Sequence, residues 1–117
     1  MTDKYILDGH TPVPCYDLKE WGLWMNDRDK RRVAYYEHEK FQVSTVFLGL
    51  DHAIYNEKPI LFETLVFNGP LDGEMRRCCT WEEAENIHEI TVKDCLEAID
   101  VGEKENWKPP DDCTRTE

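Results

Sequence analysis

Between Phe41 and Phe67 the chain carries two runs, FQVSTVFLGLDH and PILFETLVF, that no other part of it matches in β-branched and aromatic content. Runs of roughly eight such residues, parted by a loop holding Asn56, Glu57 and Pro59, read as neighbouring strands of one sheet. The second run alternates Leu61, Glu63, Leu65 and Phe67 against Ile60, Phe62, Thr64 and Val66. Both sets are largely apolar, which predicts a central strand with cover on each side. Val33 to Glu39 adds a strand before it, joined by a tight turn around Glu39-Lys40 to the strand from Phe41 to Leu50. Asn68-Gly69-Pro70 ends the last run, and Met75 to Cys79 supplies a short edge strand.

The flanks supply helices. At the N-terminus, KYILDGHTPVP sets a short apolar run before Asp8-Gly9, a dipeptide suited to a tight hairpin turn. Pro12 and Pro14 confine the returning arm to an edge, since neither can donate to a ladder. Asp17 opens a helical pattern in which Leu18, Trp21 and Met25 share a face with Trp24 beside it. Gly22 weakens this helix by about 1 kcal/mol relative to Ala, and it should stop near Asn26. The basic stretch from Asn26 to Arg32, NDRDKRR, reads as a solvated loop. Thr80-Trp81-Glu82-Glu83 has the T-x-x-E form of a capping box, with carboxylates where the helix dipole favours them. The helix it starts carries an apolar stripe of Trp81, Ala84, Ile87, Val92, Cys95 and Ile99, with Leu96 beside it, suited to lying across a sheet. Gly102 is placed to end it. The expected fold is therefore α+β: an antiparallel sheet of three to five strands, a C-terminal helix on one face, and a short N-terminal helix. Residues 1–102 are expected to form one domain, and 103–117 an acidic, flexible tail.

Charge is placed unevenly along these elements. The 117 residues include 25 acidic and 14 basic ones, a formal net charge of −11. Glu82 to Glu117 holds 12 acidic and 4 basic residues, net −8, against 13 and 10, net −3, from Met1 to Trp81. Such a surface repels nucleic acid and anionic membranes and attracts basic partners over about a Debye length, roughly 8 Å at physiological salt. No apolar run approaches the roughly 20 residues of a membrane span, and MTDKYILDGH lacks the features of a secretory signal. Cytoplasmic location and no membrane partner are the expectations. The five cysteines are odd in number and include no C-x-x-C pair, so neither a disulfide framework nor a zinc site is expected, and Cys95 reads as core.

Three constellations could carry function. Asp51, His52, Glu63 and His88 could together hold a divalent metal or act as an acid/base pair if the strands bring them together. Their spacing matches no H-E-x-x-H, nucleophile elbow or phosphate-binding glycine loop. The balance is against an enzyme, and no metal or cofactor is expected. Glu63, between leucines, calls for an arginine partner such as Arg76 or Arg77, and His88 lies close to the apolar stripe. A second constellation is the acidic face of Glu82, Glu85 and Glu89, extended by Glu97 and Asp100, which could mimic a row of phosphates for a basic protein partner, with Trp107 as an aromatic anchor. A third would take an anionic small molecule on Arg31, Arg32, Arg76 or Arg77.

The segments VSTVFLGLDH, LFETLVF and TWEEAExxH, spread over roughly Tyr5 to His88, resemble a family of small uncharacterised bacteriophage and prophage proteins. The resemblance brings no activity and no site residues with it. It implies a setting, the host bacterial cytoplasm, and by analogy with small acidic phage proteins a role in binding and inhibiting or modulating a host defence or nucleic-acid-processing protein.

Overall fold

The computed structural model describes residues 2–53 and 58–105, with side chains as far as Val101. The elements in chain order are β1 (Tyr5–Asp8), β2 (Thr11–Pro14), α1 (Leu18–Met25), α2 (Arg28–Arg31), β3 (Arg32–Glu37), β4 (Gln42–Phe47), β5 (Phe62–Phe67), β6 (Met75–Cys78) and α3 (Trp81–Glu105). Strands β3-β4-β5-β6 form an antiparallel sheet in sequence order, and β1-β2 form a separate hairpin. The fold is α+β, with α3 packed on one face of the four-stranded sheet.

Strand parity decides which side chains meet α3. Val43, Thr45 and Phe47 pair with Val66, Thr64 and Phe62 across β4 and β5, and all six are buried. Two apolar clusters result. At one end Leu7, Phe47, Leu61, Phe62, Trp81 and Ala84 pack together; at the other, Phe41, Val43, Val66 and Cys95. Hairpin β1-β2 and helix α1 close the first end: Leu7 joins its cluster and Trp24 stands edge-on to Phe47, ring centroids 5.6 Å apart. One carbonyl ties them to the sheet, since Gly49 O accepts from the Tyr5 N–H at 2.9 Å and the Trp21 indole N–H at 3.1 Å. Gly49 has φ 76°, a left-handed backbone conformation that calls for glycine, and the end of the Met25 side chain packs against it.

Several local expectations change. The opposite sheet face, with Tyr35, Ser44, Leu65 and Met75 aligned across four strands, carries no covering element among the described residues: Phe67 is 44% and Met75 48% exposed. Alternation shows that a strand is central but does not show what lies above it. Leu18 is 65% exposed, because Trp21, Trp24 and Met25 already occupy the packed side of α1. The basic stretch is not all loop: Asp27 caps α2 by accepting from the Asp29 and Lys30 N–H groups, which converts part of NDRDKRR into a helical turn. Helix α3 runs through Gly102 to Glu105, since a helical glycine costs only about 1 kcal/mol and does not oblige a stop. The expected boundary after residue 102 falls within this helix, and residues 106–117, with Trp107, lie outside the described residues.

Candidate functional site

A buried polar layer between the two apolar clusters sets how α3 lies. The cross-strand row Ala34, Thr45, Thr64, Arg76 runs beneath the helix. Thr45 Oγ1 lies 2.7 Å from Thr64 Oγ1 and 2.7 Å from His88 Nδ1, and both threonines are buried. Arg76 Nη1 donates to Thr91 Oγ1 at 3.0 Å and to Asp94 Oδ2 at 2.9 Å, while Thr91 donates to the Ile87 carbonyl at 2.7 Å. A slip of α3 along the sheet would break several of these bonds inside a desolvated layer, so they hold the helix in one register.

That register fixes the outward face. His88, Thr91 and Cys95 point at the sheet, and Glu82, Glu85, Glu89, Glu97 and Asp100 are all exposed. At 1.5 Å rise per residue they extend over about 27 Å. Lys93 is the one cation in the stretch from Glu82 to Asp100. Asp94 does not contribute to this face, because Arg76 engages it at the edge of the sheet. The capping box fixes the start of the row: Glu83 N–H donates to Thr80 Oγ1 at 3.1 Å, and Glu83 Oε1 accepts from the N–H groups of Thr80 and Cys79 at 3.2 and 3.0 Å.

The metal or acid/base constellation does not assemble. Glu63 is on the sheet face away from α3, where Arg77 holds it with N–O distances of 3.1 Å, as its burial demanded. His88 is on the other face, bonded to Thr45; burial lowers its pKa, opposed by nearby Glu89, so it sits neutral in the layer. Asp51 accepts from the Ala53 and Ile60 N–H groups at 2.8 and 3.0 Å and shapes the connection after β4, while exposed His52 places its Nδ1 2.8 Å from the Leu50 carbonyl and donates its backbone N–H to Ile60 O at 3.0 Å. Among the described residues no group of three His, Cys, Asp or Glu side chains could hold a metal. Cys15, Cys78, Cys79 and Cys95 are free thiols. The Cys78 thiol is pushed up to about 11, by burial first and by Glu83 next, and is not a nucleophile at neutral pH.

The four arginines considered for an anionic ligand do not converge either, because Arg76 and Arg77 are committed to carboxylates on opposite sheet faces. Thr45, Thr64 and Thr91 carried no sequence expectation. Their signal was polar residues sharing strand parity with Phe47 and Phe62, or helical spacing with His88. No helix among the described residues is long and apolar enough to cross a membrane. Comparison with protein-family models, curated proteins and solved structures gives no match.

Proposed function

We propose that this chain is a non-enzymatic binding protein whose outward α3 face engages a basic surface on a protein partner. The observation that carries the reading is the row Glu82, Glu85, Glu89, Glu97 and Asp100, exposed on a helix whose inner face is locked to the sheet. Preorganisation matters because the backbone that carries the carboxylates needs no ordering at binding, which leaves only the side-chain rotamers to be fixed. Five carboxylates over about 27 Å are roughly half as dense as the phosphates of one DNA strand, at about 3.4 Å each. The face therefore imitates nucleic acid in sign and direction only, and acts through steering and rim contacts. The resemblance to phage proteins supplies the proposed setting: a host bacterial cytoplasm, and a partner that itself handles nucleic acid or defends against phage.

The test uses the tagged full chain in bacterial lysate, beside a Glu85→Lys/Glu89→Lys variant with unchanged circular dichroism. A protein retained by the wild type, released by salt and recovered about tenfold less by the variant supports the reading. Equal recovery by both chains, or no protein retained by either, counts against it.

A further inference from the structure

We propose that the open face of the four-stranded sheet is a self-association surface, on which a second copy of this chain packs face to face about a twofold axis running across the strands. This goes beyond the partner-binding role of α3, which lies on the other side of the sheet and points outward from such a pair.

Strand parity gives the open face a central row of Tyr35, Ser44, Leu65 and Met75, one residue from each strand. Tyr35 is 43%, Phe67 44% and Met75 48% exposed, whereas Val43, Phe47, Phe62 and Val66 on the opposite face are buried under α3. A sheet with one apolar face left open is half of a sandwich: two such faces stack about 10 Å apart with their strands aligned within about 30°. Exposed apolar patches with a polar rim mark interaction surfaces.

Charge selects a second copy as the occupant. In a chain of net −11 this face carries Arg32 and Arg77 against Glu37 and Glu63, a balance of zero. A surface for the basic partner of α3 would be acidic; on this neutral one two acidic chains can meet. Glu63 and Arg77 already pair with each other at 3.1 Å, so the polarity left is that of β3, with Arg32 at its start and Glu37 at its end. Both share the face with Tyr35: Arg32 lies over its ring, 5.2 Å from the centroid, and its hydroxyl donates to Glu37 Oε1 at 3.5 Å. Arg32 and Glu37 stand about 16 Å apart along the strand, and no ion pair among the described residues engages either.

That polarity fixes the orientation. With the axis across the strands, β3 lies antiparallel over β3 of the other copy, so Arg32 of each copy meets Glu37 of the other and the central row stacks on itself. With the axis along the strands, β3 would lie over β6 of the other copy and set Arg32 against Arg77, like charge on like charge. Four strands about 4.8 Å apart, the longest six residues long, make a face of roughly 20 × 20 Å, about 400 Å² in projection. A standard stable interface takes about 800 Å² from each partner, so this pair is a weak one, with a dissociation constant in the micromolar range.

Sedimentation velocity of the full chain from about 1 to 300 µM tests the surface, at about 0.15 M salt, where a Debye length of roughly 8 Å screens the repulsion between acidic chains. A reversible shift from monomer to dimer is expected. Met75→Glu, at an exposed position that meets its own counterpart at the axis, should weaken association by about tenfold or more with unchanged circular dichroism. Arg32→Glu and Glu37→Arg should each weaken it about tenfold alone, because each sets like charges together. An equimolar mixture of those two variants puts opposite charges together again and should associate as the wild type does, a rescue that a purely structural role for either residue would not give. A chain that stays monomeric throughout overturns the proposal. So does a dimer that Met75→Glu leaves unchanged, or a mixture of the two charge variants that associates no better than either alone.

Discussion

Thr45 has no solvent exposure, and its single hydroxyl faces two partners, Thr64 and His88, each at 2.7 Å. Replacing Thr45 by Val keeps the shape and leaves both partners short of a bond, which should cost about 1–3 kcal/mol. A triple Thr45→Val/Thr64→Val/His88→Leu chain removes the polar layer together and should cost well under the sum of the single changes. Urea unfolding of the wild type, the three single variants and the triple variant measures this, and additive losses would show that the three groups do not act as a unit. His88 adds a pH dependence. Burial lowers its folded pKa below the ordinary 6.5, so below 6.5 the unfolded chain binds a proton that the folded chain refuses. Its contribution is fully present above 6.5 and is lost as pH falls through the folded value. The stability gap between wild type and His88→Asn should be constant above the ordinary 6.5 and narrow as pH falls below it, as read by urea unfolding. A constant gap would mean that His88 is not held neutral.

The elements were readable in proportion to how local their determinants are. The capping box at Thr80 formed as its T-x-x-E spacing implied, and Thr80→Ala should cost about 1 kcal/mol by thermal unfolding. An unchanged midpoint would contradict that role. Asp17 likewise caps α1, and Asp8-Gly9 makes the hairpin. The four-stranded meander followed from alternation and short connections, which carry pairing information in the sequence itself. What alternation could not carry was the identity of the layer above each face. Leu65 and Phe67 look alike to Phe62 and Val66 in the sequence, yet only the latter pair lies under α3. Gly102 misled for the opposite reason: a glycine permits a helix end, and the following residues decide whether one forms.

At the level of the molecule, the acidic row could be read from helical spacing, and all five of its described members are exposed as spacing required. The layer that orients it could not, since Thr45, Thr64, His88 and Arg76 come from four elements and meet only after folding. The same holds for the His10–Trp81 ring stack, whose members lie 71 positions apart in sequence. Charge is segregated: α3 presents one negative face, while Lys30 in α2 and Arg32 in β3 are exposed and form no ion pair among the described residues. A partner drawn to α3 should therefore be basic, and its affinity should depend on salt through the α3 carboxylates and not through Lys30 and Arg32.

The most direct test is the dissociation constant of the captured partner as a function of salt, for the wild type, Glu85→Lys/Glu89→Lys and Lys30→Ser/Arg32→Ser. If α3 is the recognition face, raising salt from about 0.05 to 0.3 M weakens the wild type and the Lys30→Ser/Arg32→Ser variant alike by about tenfold or more. The α3 variant should bind weakly throughout and respond little to salt. An α3 variant that keeps wild-type affinity and wild-type salt dependence would contradict the proposed function.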